Sequence, residues 1–114
     1  MNNRKVYISG EIVPEVDAKI SIFDSAVLLG DTVTESTRTF NFKPFKLDEH
    51  LERLYKSFKL TRIDPQMTIE EMKKVSLELL EINKDNYKAN EDCWLVHNIS
   101  RGHSITGGNP ALQV

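Results

Sequence analysis

The sequence predicts an α+β domain, a mostly antiparallel sheet with two helices packed on one face. Three observations carry this. Residues 31–42, DTVTESTRTFNF, are rich in Thr, Val and Phe and show no helical period. Leu47, Leu51, Leu54, Tyr55 and Phe58 recur at helical spacing on one stripe. Four strand-like segments precede two helical ones, and a further strand-like segment follows, an order that suits helices layered on a sheet.

Taken in order, Lys5–Ser9 (KVYIS) is a short β-run, Ser9-Gly10 a turn, and EIV a returning strand stopped at Pro14. Lys19–Phe23 (KISIF) alternates again, with Ile20 and Ile22 on one face, and is expected to be a strand. Asp24 caps a helical turn that Gly30 ends. The long strand over 31–42 turns near Asn41–Pro44 into a helix from about Leu47 to Leu60. Pro65 closes the next loop. Thr68-Ile-Glu-Glu71 is a capping box, and the helix it opens runs to about Asn83 with a stripe of Met72, Val75, Ser76, Leu79 and Leu80. NKDNYKANED is a polar connector, CWLVHNIS a last strand, and RGHSITGGNP a glycine-rich loop.

Composition narrows the function. The 114 residues make one domain at most, with 39% hydrophobic and 28% charged residues, the balance of a folded globular chain. A net charge of −2 provides no basic field for nucleic acid. Nowhere do eighteen apolar residues run together, and MNNRKVYISG lacks a signal-peptide core, so no membrane partner is expected and the reading is cytoplasmic. The sequon Asn98-Ile99-Ser100 would then go unused.

Cys93, alone, makes neither a disulfide nor a zinc site, and reads as a small strand residue. His50, His97 and His103 lie far apart without HExxH spacing, so no metal site is expected and each reads as surface or strand filler. No GxSxG elbow occurs. Gly102 and Gly107 have a phosphate loop's spacing, but Gly108-Asn109 follow where lysine and a hydroxyl residue are needed.

Two features remain. On the long strand, Thr34, Ser36 and Arg38 share one side, and Val33, Glu35 and Thr37 the other; on the last strand Trp94, Val96 and Asn98 share a side. A face of this kind either meets water or lines a polar pocket. On the first long helix, Arg53 lies about 200° from Leu51, away from the core stripe. Glu49 sits one turn before it in the favourable order for a surface ion pair, worth roughly 0.2–0.5 kcal/mol. A functional use of Arg53 would need a second body over that face.

The segment GEIVPEVDAKISIFDSAVLLGDTVTESTRTFNFKPFKLDEHLERLYKS resembles the opening of the class IV (fold-type IV) pyridoxal-phosphate aminotransferases. That family includes branched-chain and D-amino-acid aminotransferases and aminodeoxychorismate lyases. Its pattern runs G-x-x-V-P, D-A-x-I-S-x-x-D, G-D-x-V-x-E, then K-P-F-x-L-x-E-H-L-x-R-L, and Ser100-Arg101-Gly102 matches its later S-R-G. The resemblance implies an N-terminal α+β domain over 1–102 and, over 103–114, a glycine-rich interdomain loop leading to a C-terminal domain absent from this chain. It implies pyridoxal 5′-phosphate as cofactor, with Arg53 on its phosphate. It implies a substrate pocket lined by Leu29, Thr34, Ser36, Arg38, Trp94 and Val96.

The implied reaction moves an amino group between an amino acid or amine and a 2-oxo acid, usually in a homo-oligomer, a dimer. The family's Schiff-base lysine lies beyond S-R-G, so no catalytic residue is expected in this segment, which alone should be inactive. A fragment, or a partner half on a separate chain, is the expectation. The pocket departs from its models: Leu29, Thr34 and Val96 replace the tyrosine, aromatic and arginine usual in branched-chain enzymes. Val96 also replaces the lyases' lysine, and His103 is out of register with the D-amino-acid enzymes' histidine. A lyase reaction and a non-catalytic, free-standing domain are the alternatives.

Overall fold

The computed structural model describes residues 3–103. Strands β1 (Lys5–Ile8) and β2 (Glu11–Pro14) pair antiparallel across Ser9-Gly10. Both loop residues have positive φ, 49° and 89°, as a two-residue turn that matches strand twist requires.

The strand expected over Lys19–Phe23 does not form. A 3-10 turn, Glu15–Asp17, precedes it, and Ser21 then takes local bonds. The Ser21 hydroxyl accepts from the Phe23 N–H and its carbonyl from the Asp24 N–H, both at 3.0 Å. Short polar side chains compete with sheet ladders in this way, and Ile20 and Ile22 are left exposed. Helix α1 (Ser25–Leu29) starts and stops where expected. The Asp24 carboxylate accepts from the Ala26 N–H at 2.9 Å, and Gly30 closes the helix with φ 64°.

The central strand β3 (Thr32–Phe40) stops two residues short of the expected end. Asn41 and Phe42 have φ of 51° and 59° and make a second tight turn into β4 (Lys43–Pro44). On its other side β3 pairs antiparallel with β5 (Trp94–Ser100), from Thr32↔Ser100 to Arg38↔Trp94. The sheet order is β4-β3-β5, and β1-β2 forms a separate ribbon.

Helix α2 (Leu47–Thr61) buries Leu47, Leu51, Leu54 and Phe58, the predicted stripe, with Tyr55 half-buried. Each such burial contributes roughly 1.5–3 kcal/mol. Helix α3 (Ile69–Asn83) begins on the predicted capping box, Thr68 and Glu71 exchanging bonds of 3.0 and 3.1 Å. It buries Met72, Ser76 and Leu80, and its apolar members join Val33 of β3 and Leu95 of β5 in the core.

Three polar ties fix these layers. Asn83 imitates a strand neighbour: its Oδ1 accepts from the Lys5 N–H (2.8 Å) and its Nδ2 donates to the Lys5 carbonyl (3.0 Å), joining the ribbon to α3. His97 of β5 meets Ser76 of α3 at 2.7 Å. Arg101 donates to Asp31 (2.7 Å) and to the carbonyls of Arg62 and Thr61 (2.9 Å each), pinning the end of α2 to the start of β3. Among the described residues no helix is long and apolar enough to cross a membrane.

Candidate functional site

The alternation on β3 is complete. Val33, Glu35, Thr37 and Thr39 are buried, while Thr34, Ser36 and Arg38 are exposed. Cross-strand pairing sets Thr34 beside Asn98, Ser36 beside Val96 and Arg38 beside Trp94. Trp94 and Val96 are both exposed. One end of this face opens into a shallow depression of about 590 Å³ lined by Thr34, Glu35, Ser36, Arg53, Ser57 and Val96. Four predicted site residues, Arg53, Thr34, Ser36 and Val96, therefore meet there.

The other three predicted residues lie outside the lining. Arg38 and Trp94 are next along the same face, and the Arg38 guanidinium stacks 3.9 Å from the centre of the Phe40 ring. Its Nε donates to the Thr39 carbonyl at 3.2 Å. Leu29, 73% exposed, is the last residue of α1.

Arg53 does point away from the core stripe, but its partner is not Glu49. Its Nε donates to Glu35 Oε2 at 3.0 Å and its Nη2 to Glu35 Oε1 at 2.5 Å. The pair is lopsided: the Glu35 side chain is 6% exposed, that of Arg53 68%. The Arg53 bond, with help from His50, holds the Glu35 carboxyl down to about 2 against the opposing effect of burial. The same contact raises the Arg53 pKa.

Donor counting gives this geometry its chemical meaning. A guanidinium carries five N–H bonds. Glu35 takes two, one from Nε and one from Nη2. Nη2 also lies 3.3 Å from His50 Nδ1, which leaves the two N–H bonds of Nη1, with the hydroxyls of Thr34, Ser36 and Ser57 lining the same depression. Two cationic donors with neighbouring hydroxyls match a compact, multi-oxygen anion, and arginine suits phosphate. The residues present therefore fit a phosphate group.

His50 completes the cluster and corrects its reading as filler. Its Nδ1 lies 2.7 Å from Glu35 Oε1. An ionised carboxylate only accepts, so Nδ1 carries the proton and donates it. The buried His97 also has a defined state. Ser76 gives its one hydroxyl proton to the Met72 carbonyl (2.7 Å), so His97 Nε2 donates to Ser76 and Nδ1 stays unpartnered. Burial pushes the His97 pKa down. Among the described residues no cluster of three or more His, Cys, Asp or Glu stands ready for a metal. Residues 104–114, with Gly107 and most of the predicted interdomain loop, lie outside the described residues.

The sequence model of the family described as "Amino-transferase class IV" matches residues 32–111, more than half of the chain. The chain belongs to the class IV aminotransferases. It is 47% identical over 79 residues to a putative branched-chain-amino-acid aminotransferase of Methanocaldococcus jannaschii, covering 69% of this chain and 27% of that protein. A D-alanine aminotransferase of Staphylococcus haemolyticus is 37% identical over 79 residues, 69% of this chain and 28% of the relative. The fold matches the branched-chain aminotransferase from the thermophilic archaeon Thermoproteus uzoniensis with norvaline, with a TM-score of 0.76 and 26% identity over 93% of this chain and 36% of that one. The chain thus spans well under half the length of these proteins and has the architecture of the N-terminal domain of the class IV fold.

In this class IV chain, Glu35, His50 and Ser57 were missed as parts of the site. Each had a signal. Glu35 occupies the inward phase of a strand, where a carboxylate demands a partner. Ser57 is one helical turn from Arg53 on the same face. His50 precedes Arg53 by three residues, the other neighbour spacing on a helix.

Proposed function

We propose that this chain is the N-terminal domain of a pyridoxal-phosphate-dependent aminotransferase, which moves an amino group between an amino acid or amine and a 2-oxo acid. The supporting observation is Arg53: a guanidinium tethered by a buried carboxylate, with the two N–H donors of Nη1 unspent and three hydroxyl side chains in the same depression. In this reading Arg53 holds the cofactor's phosphate, with Ser57 one turn further along α2. Bound there, the cofactor supplies an electron sink for bond breaking at the substrate's α-carbon.

The chain's own part is binding and orientation. Thr34, Ser36 and Val96 floor the substrate side of the cleft. Arg38 and Trp94 continue it along the sheet, and Leu29 of α1 is assigned to the same pocket by the family resemblance alone. No residue of this chain is assigned to proton transfer. Residues 1–102 form the domain, and 103–114 lead to the remainder of the enzyme.

The test is an amino-transfer assay on the protein as it is encoded, with and without added pyridoxal phosphate. The reading expects a 2-oxo acid acceptor to be converted to its amino acid only when amino donor and cofactor are both supplied. Release of pyruvate without any acceptor would replace transfer by a lyase reaction.

A further inference from the structure

We propose that Glu35 is the positioning residue for Arg53: from inside the fold it fixes the guanidinium so that the two remaining donors, on Nη1, are presented to the depression. The proposal rests on the reading of Arg53 as the phosphate ligand and deepens it. An exposed arginine is ordinarily free to sample many rotamers, and that freedom is lost when an anion binds. Here the fork is already set. Glu35 grips it through both Nε and Nη2, so the guanidinium plane and the direction of Nη1 are fixed together. The carboxylate is itself buried, on the inner face of the central strand, and bonded at Oε1 by the His50 N–H. An arrangement paid for during folding removes an ordering cost from ligand binding.

Charge counting and positioning predict opposite outcomes. Glu35 is an anion beside a proposed anion site, so removing its charge should tighten phosphate binding if only net charge matters. If Glu35 acts by positioning, Glu35→Gln should weaken it. The amide keeps the size of the side chain but places an NH2 against an N–H donor of Arg53, so one arm of the grip is lost.

The experiment compares pyridoxamine 5′-phosphate with pyridoxamine, which lack the aldehyde that reacts with any lysine. Their affinity ratio in the protein as encoded, from calorimetry, reports the phosphate contact alone. The positioning role predicts that folded E35Q lowers this ratio about tenfold, the loss of roughly one charge-assisted hydrogen bond. It also predicts that the slowly exchanging Arg53 Nε–H signal in the 1H–15N spectrum disappears without any ligand present. Glu35→Asp, which keeps the charge but shortens the reach, should do both as well, and serves if the amide disturbs folding. A ratio that holds or rises in folded E35Q or E35D, while Arg53→Ala abolishes it, overturns the role of Glu35. A ratio that survives Arg53→Ala overturns the phosphate reading beneath it.

Discussion

Helices α2 and α3 are both 15 residues long and both bury four residues, yet they do different work. Helix α3 is a strut. It opens on a full capping box, and its polar residues Ser76 and Asn83 tie it to β5 and β1. Helix α2 starts without a side-chain cap, on Lys46 in the left-handed region, and buries four large apolar residues. Its other side carries His50, Arg53 and Ser57 toward β3. One helix is stabilised at its end and along its polar contacts; the other is held by its greasy side, and its outward face carries the Arg53–Glu35–His50 cluster.

Truncating the packing of α2 breaks this contrast most severely. Leu54 is fully buried, so Leu54→Ala should cost about 2–5 kcal/mol, read as a lower denaturant midpoint at unchanged slope. A loss under about 1 kcal/mol, below the range for such truncations, would mean that α2 is not held by its apolar stripe.

The acid limb of stability sharpens the comparison next. The Glu35 carboxyl is lowered from 4.5 to about 2 in the folded state, so the folded state binds fewer protons than the unfolded one in that range. The stability Glu35 contributes is present above about 4.5 and drains as the pH falls toward about 2. A hydrogen bond to a charged group is worth about 1.5–3 kcal/mol. Stability measured from about pH 6 down to about pH 2 should therefore fall less steeply in E35Q than in the parent. Parallel curves would show that Glu35 titrates alike in both states.

The smallest effect lies at the start of α3. Thr68→Ala removes the hydroxyl that accepts from the Glu71 N–H and should cost about 1 kcal/mol. Hydrogen exchange should speed up first in the opening turn of α3 and leave α2 unchanged. An equal loss in both helices would argue against α3 having its own stabilised end.

Much of this was legible because it is local or periodic. The α2 stripe, the Thr68 box and the alternation of β3 are all set by neighbours within a few positions, and each is where the pattern puts it. Lys19–Phe23 has the alternation but no paired partner, and period alone does not supply one. The sheet also divides in two, since nothing local says whether the β1-β2 ribbon joins β3. The site failed for a similar reason. Glu49, four residues from Arg53, was the partner that helix geometry offered. The fold brings in Glu35 from a strand 18 positions away, and a buried carboxylate outcompetes an exposed one for a bidentate fork. The face carrying Thr34 and Ser36 was readable, but its meeting with α2 depends on packing.

The central claim is that Arg53 receives the phosphate of the cofactor. The most direct measurement is the affinity of the protein as encoded for pyridoxamine 5′-phosphate, with Arg53 intact and with Arg53→Ala, each also checked for unfolding midpoint. Arg53 is largely exposed, so the account predicts an affinity loss of about a hundredfold, equivalent to about 2.7 kcal/mol, while the folded structure is retained. Unchanged affinity in a folded Arg53→Ala protein would contradict it.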